Sequence, residues 1–294
     1  MTFFIEVVIT GLLGGLMYST VGLGFVLIFK ASGIFNFAQP VMVLFAAMFI
    51  AGLNQEFGIP LWQAIPLVAL LMIGVAWVIE RFVLRPMVNQ EPILTFMATI
   101  GIFFILLGLA EMFWGSENRT LNVGIPRGPV FIGDILLQSY RVYSSIIGFI
   151  VVLLVVLFTQ KTKMGRVLRA VADDHQAAQA VGIRLTTVWW VVWSIAGLIA
   201  IVAAIIWGGS IGVQPIMVDV AFKAFPVLLL GGLTSIPGVI IAGLIIGAGE
   251  SVANVYLGPL IGGGIGNWFP YIIAMVFMLY RPQGLFGEKI IERI

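Results

Sequence analysis

Apolar residues run along this chain in long blocks, separated by short polar or Gly/Pro-containing segments. The blocks fall at about 7–29, 38–53, 61–79, 93–114, 143–158, 187–207, 219–233, 236–257 and 267–280. Crossing a bilayer as a helix takes about 20 apolar residues. Most blocks come close to that length, while the second, fifth and seventh are among those that fall short, as broken, tilted or re-entrant helices do. The pattern predicts an all-α, polytopic transmembrane protein of eight or nine spans, folded as one transmembrane domain over 1–294.

Two Gln-Pro breaks interrupt the blocks, and their surroundings look alike. The first is Gly33-Ile34-Phe35-Asn36-Phe37-Ala38-Gln39-Pro40, the second Gly208-Gly209-Ser210-Ile211-Gly212-Val213-Gln214-Pro215. One constant offset pairs Gln39 with Gln214, Gly22 with Gly197, Gly33 with Gly208 and Ala46 with Ala221. Paired Gly/Pro interruptions in two halves of a membrane protein point to a transport pathway built on an internal repeat. The halves are expected at about 1–142 and 143–294.

Composition sharpens the class. The chain is 61% hydrophobic and 10% charged, with a mean hydropathy of +1.14. A soluble domain carries about 25% charged residues. There is no cysteine and one histidine, His175, so disulfides, Cys-based metal sites and His clusters are excluded. The basic residues are scattered rather than striped, which argues against nucleic acid as a partner. The N-terminus lacks a basic region and a small-residue cleavage site, so the first span is expected to be retained.

Lys and Arg concentrate in 80–92 (Arg81, Arg85), 159–186 (Lys161, Lys163, Arg166, Arg169, Arg184) and the tail (Arg281, Lys289, Arg293). The positive-inside rule places these segments in the cytoplasm. Nine crossings, N-terminus out and C-terminus in, satisfy every loop, and the two breaks then lie in segments of opposite direction, as an inverted repeat requires. Trp62, Trp114, Trp189, Trp190, Trp207 and Trp268 fall near span ends and read as interfacial anchors. Gly11-x-x-x-Gly15 and Gly243-x-x-x-Gly247 permit close helix approach, read as packing within the chain.

Candidate chemistry follows from the breaks and the intramembrane charges. Pro40 and Pro215 each remove a backbone donor and turn the preceding residue from helical geometry. Non-helical backbone at membrane depth must be buried in protein or line a wet cavity. Asn36, Gln39, Pro40, Gln214 and Pro215 are therefore candidates for the translocation path, as are Thr95 and Thr99, one turn apart in the fourth span. Such amides and hydroxyls also serve simply to satisfy broken helices. Asp219 and Lys223 stand i,i+4, acid first, the favourable order for an ion pair that clamps the second break. Glu250 and Asn254 could bond across a helix interface, and Glu80 and Glu111 sit where they can reach water.

The segment 159–186 predicts a small capped element. Gly165 to Ala172 is basic and amphipathic. Asp173 and Asp174 offer an N-cap, with Gln176 placed for a capping-box contact to Asp173, and Gly182 suits the C′ position. Such a helix either lies on the lipid surface or docks into a groove of another protein.

Gly-Arg-x-Leu-Arg-Ala-x-x-x-Asp-x-x-x-Ala-x-x-x-Gly-Ile, from Gly165 to Ile183, resembles the coupling loop of ABC-importer permeases. Asn36-Phe37-Ala38-Gln39 resembles the Asn-Phe-Ala-His-Gly stretch of the branched-chain amino acid permease family. Gly231 to Gly238 and Arg281-Pro282-Gln283-Gly284-Leu285-Phe286-Gly287 resemble two further stretches of that family. Gln39-Pro40 stands where the family has His-Gly, and Thr234 where it has Gly. If these stretches approach the path, the departures bear on the cargo, which across the family includes branched-chain and other amino acids, amides and urea.

The resemblance implies a subunit of the bacterial inner membrane that forms a pore with a second, homologous permease chain. Two ATPase subunits would drive it, and a periplasmic binding protein would deliver the substrate. It implies that Arg166, Arg169, Asp173, Asp174 and Gly182 make the coupling contact. The chain has no Gly-x-x-x-x-Gly-Lys-Ser/Thr, so ATP is expected to be used by the partner subunits, with no cofactor in this chain and no enzymatic activity of its own. The alternative is an ion-gradient-driven secondary transporter, which would also use broken helices and buried charge.

Overall fold

The computed structural model describes residues 2–88 and 90–287. Its helices are α1 (Thr2–Ser32), α2 (Gln39–Gln55), α3 (Leu61–Ile79), α4 (Pro92–Trp114), α5 (Ser139–Lys161), α6 (Lys163–Asp173), α7 (His175–Ala180), α8 (Leu185–Ile211), α9 (Ile216–Phe222), α10 (Ala224–Gly231), α11 (Ile236–Val252), α12 (Gly258–Ile261) and α13 (Ile265–Tyr280). Among the described residues six helical stretches are long and apolar enough to cross a membrane, and α2 and α13 are shorter apolar helices. The protein is a multi-pass helical membrane protein.

The layering follows from which helices are apolar on every side. A helix hydrophobic all round belongs in the core of a bundle. Every residue of α1 from Met17 to Ile28 is buried. In α1 and α8, 72% of the most apolar stretch is buried, against 33% in α3, α4 and α5. The first pair is therefore the centre and the other three the outer rim of this chain. α5 shows this directly, exposing Ile146, Phe149, Ile150, Leu153, Leu154 and Leu157.

Helix α1 packs most extensively on α11. The two predicted glycine motifs turn out to face each other: a Cβ added at Gly11 would lie 2.5 Å from the Gly247 carbonyl oxygen, and one at Gly15 would overlap the Gly243 backbone. Small residues bring the two backbones together, which is how helices gain packing energy in lipid.

Three expectations need correction. The predicted span 219–233 is not one helix; it divides at Lys223 into α9 and α10, because the chain turns there with Lys223 closing one helix and opening the next. The fold is not purely helical either. β1 (Pro129–Ile132) and β2 (Ile135–Gln138) form an antiparallel hairpin whose two-residue turn places Gly133 at φ +63°. Short hairpin turns demand that positive φ, but the apolar run around it hides the strands inside a generally hydrophobic sequence. Finally, Trp114, Trp189 and Trp207 are buried rather than interfacial. Trp189 donates its indole N–H to the Ala31 carbonyl at 3.2 Å, tying α8 to the end of α1, whereas Trp62 and Trp268 are exposed.

The loops sort to two ends. At one, a cleft gathers Gly33, Leu84, Gln90 and Thr95 with His175 and Gln179 of α7. A second depression there joins Lys30, Arg169, Thr234 and Phe286. The three basic segments that the Lys/Arg bias groups thus share the α6–α7 end, as far as their residues are described. At the other end Arg119 exchanges two backbone hydrogen bonds with Val213, and its guanidinium meets Glu56 and the Trp114 carbonyl, each at 2.6 Å. That is the hairpin end.

Candidate functional site

The first break follows from the end of α1. Gly33 adopts φ +67°, which releases the chain from the helix. Ser32 donates its hydroxyl to the Ile28 carbonyl at 2.7 Å and accepts from the Ile34 N–H at 3.2 Å. Asn36 accepts from the Ala38 N–H at 3.1 Å and donates to the Gln39 side chain at 3.4 Å. Gln39 donates to the Ala196 carbonyl of α8 at 3.3 Å. The Thr99 hydroxyl accepts from the Phe37 N–H at 3.1 Å and lies within donating distance of the Phe35 and Phe96 carbonyls. Every orphaned group needs such a partner inside a membrane.

These contacts decide where the predicted path residues sit. Asn36, Gln39 and Pro40 are buried among helices, and Gln39 fills space left by Gly24 of α1, where a Cβ would overlap its amide. Thr99 is also buried and holds the break, while Thr95 bonds back to the Glu91 carbonyl and lines the cleft at the α6–α7 end.

The second break is built differently. Gly212, at φ +81°, carries the turn, not the Gly208 that the offset pairs with Gly33. Pro215 caps α9, where its missing N–H costs nothing. Gln214 is half-buried and donates to the Ile211 carbonyl at 3.3 Å. The first break thus lies toward the α6–α7 end and the second at the hairpin end.

The predicted ion pair between Asp219 and Lys223 does not form. Lys223 turns inward and meets Glu250 of α11 at 2.7 Å, with both side chains 11% exposed. The Tyr18 hydroxyl donates to the same carboxylate oxygen at 3.4 Å, and the Lys223 ammonium lies 5.9 Å from the Tyr18 ring. The i,i+4 rule presumes a continuous helix, and α9 ends before Lys223. The pair locks the α9–α10 junction onto α1 and α11. Glu80, expected to reach water, is instead buried, and one of its oxygens has no partner among the described residues.

A feature with no sequence signal surrounds the first break. Phe37 meets Phe96, Phe103, Phe222 and Phe225, with centroids 5.2–5.9 Å apart. Phe35 stacks on Phe225 at 5.2 Å, and Phe25 lies 4.6 Å from Phe225. The cluster couples α1, the break, α4, α9 and α10. In a chain with 22 phenylalanines these positions do not stand out by spacing.

At the α6–α7 end, Thr162 caps α6 by accepting from the Gly165 N–H at 2.9 Å. α6 turns Leu168 and Val171 inward and leaves Arg166, Arg169 and Asp173 exposed. Asp174, not Asp173, caps α7: it accepts from the N–H groups of Gln176 and Ala177 at 2.8 and 3.0 Å, so the predicted Asp173–Gln176 capping box is replaced by one residue's shift. Gly182, at φ +87°, donates to the Gln179 carbonyl, and Ile183 donates to that of Ala178. That is the two-bond glycine C-cap expected at C′. Ala178 anchors α7, and Val181 stands 77% exposed. α7 is thus capped at both ends and presents an exposed apolar residue at its tip.

Known proteins resemble this chain along most of its length. The family model for the permease component of branched-chain amino acid transport systems matches residues 7–280. The high-affinity branched-chain amino acid transport system permease protein LivH of Salmonella typhimurium is 26% identical, covering 99% of this chain and 98% of that protein. Its counterpart BraD of Pseudomonas aeruginosa is 23% identical over the same shares. Among solved structures, PsaBC from Streptococcus pneumoniae in complex with Fab aligns over 94% of this chain and 89% of that one, with a TM-score of 0.44 and 17% identity. From residue 7 to residue 280, then, the chain belongs to the branched-chain amino acid transport permease family.

Proposed function

We propose that this chain is a pathway-forming permease subunit of an ATP-binding-cassette importer, with branched-chain amino acids or related small amides as its cargo. Membership of the family and the permeases it resembles support the cargo class. The observation that carries the mechanism is the α6–α7 element: Asp174 and Gly182 fix a short helix, while Arg166, Arg169 and Asp173 remain exposed around it. Separate ATPase subunits grip this element, the arginines meeting acidic groups on them, and closure of the ATPase pair on ATP moves it. The cleft beside α7 is bounded on its other side by Ser32, Gly33 and Ile34, so the motion has a short way to travel to the first break.

Two permease chains, this one and a homologue, form the pore in the inner membrane, and a periplasmic binding protein delivers the solute at the hairpin end. The basic segments are cytoplasmic, giving nine crossings with α9 and α10 jointly making the seventh. Breaks at opposite ends of the bundle support an inverted repeat. Neither the ATP site nor any cofactor belongs to this chain. An ion-gradient mechanism has no comparable support, since the buried Lys223–Glu250 pair is closed on itself.

Reconstitution with the ATPase subunits and the binding protein tests this. Leucine uptake is expected to require ATP, and Arg169→Glu to leave ATP hydrolysis running while uptake falls. Uptake that follows an ion gradient without ATP, or normal coupling in Arg169→Glu, would overturn it.

A further inference from the structure

Asp219 is the one acid of α9, and it is exposed. Among the described residues it has no ion-pair partner, because Lys223 is committed to Glu250 inside the bundle. It lies on an apolar helix only a few residues beyond Val213, which the backbone of Arg119 holds at the hairpin end. A carboxylate facing acyl chains is strongly disfavoured. The face of α9 that carries Asp219 therefore belongs against water or protein rather than lipid.

One turn along α9, on the same side, stands Phe222. Its ring meets Phe37 at 5.2 Å and Phe103 at 5.9 Å, and Phe37 and Phe222 are both only half-buried. A carboxylate with no ion-pair partner thus stands one helical turn from the rim of an aromatic floor. The carboxylate attracts a primary ammonium and repels free anions, and the phenyl rings accept a hydrocarbon chain. We infer that Asp219 and the Phe37–Phe222 rim form a way-station in the translocation path for α-amino acids with apolar side chains. Asp219 takes the ammonium group there. The inference rests on the importer reading and names the face of this chain that lines its path.

The chain contains no cysteine, so single cysteines report accessibility without background. Asp219→Cys is compared, in membrane vesicles, with Leu154→Cys on the lipid-facing side of α5, where the residue is 58% exposed. A membrane-impermeant charged thiol reagent is expected to modify position 219 at least about tenfold faster. Equal rates would overturn the inference whatever the transport data say. In the reconstituted importer, with leucine-loaded binding protein, Asp219→Asn is expected to cut uptake about tenfold or more, the scale of one charge-assisted hydrogen bond. ATP hydrolysis should persist, and Asp219→Glu should restore most of the uptake. Wild-type uptake in Asp219→Asn would remove the ammonium role. Failure of the wild-type complex to import leucine on ATP would instead sink the importer reading, and the assigned ligand with it.

Discussion

Glu250 and Lys223 meet at 2.7 Å with each side chain 11% exposed, and Tyr18 adds a hydroxyl to the same carboxylate. At that separation two unit charges attract by about 6 kcal/mol if the effective dielectric is about 20. Desolvation of both ions consumes most of that gain, so the pair as a whole adds little to stability. Removing one partner is different, because it strands a buried charge; the cost is about 3–5 kcal/mol. Lys223→Met and Glu250→Leu should therefore each lower the melting temperature of the detergent-purified protein by roughly 10 °C, at about 2–4 °C per kcal/mol. A third variant joins both changes to Tyr18→Phe, so that no hydroxyl is left without an acceptor. It should return to within a few degrees of wild type, because the charges are then removed together. Thermal unfolding followed by size-exclusion recovery of the monodisperse protein measures all three. Single variants that melt like wild type, or a triple variant as unstable as the worse single one, would refute the assignment of this pair as a lock closed on itself.

Other consequences are open to simpler tests. Asp174→Ala should loosen α7 by about 0.5–2 kcal/mol, seen as faster amide hydrogen exchange across His175–Ala180, while Asp173→Ala should leave that exchange unchanged because Asp173 ends the preceding helix. Gly247→Leu forces side-chain atoms into the α1 backbone. A loss of about 1–3 kcal/mol is expected from such overpacking, whereas Gly14→Ala, which meets nothing within 4 Å, should be neutral or stabilising in the same melting assay. Gly24→Val should displace Gln39 from the Ala196 carbonyl. Reduced transport with protein still folded by size exclusion is the expected result, and unaltered uptake would show that the first break tolerates loss of this tie.

The helix-by-helix inventory was legible because long apolar runs and local caps are properties of chain neighbours. The extents of α1, α3, α4 and α8, the turn at Gly182 and the exposure of Arg166 and Arg169 all follow from residues within a few positions of each other. The family resemblance rested on equally local motifs. Even there the resolution was one residue: of the two acids offered as the cap, Asp174 takes it and Asp173 ends the preceding helix.

What sequence alone determined about this protein is its class, its α7 cap and the location of its two breaks. The tertiary structure decided the partners. In a bundle whose central helices are apolar on every side, periodicity no longer distinguishes one neighbour from another. Gly11 and Gly15 could have faced any helix, and they face Gly243 and Gly247. Lys223 had an acid four residues away and took one 27 residues on, because the helix stops between Asp219 and Lys223. The phenylalanines around Phe37 come from five segments and meet only once α9 and α10 fold back beside α4. Hydrogen bonds and charge pairs inside a membrane go to the groups that packing brings within reach, and that geometry is set between helices, not along them.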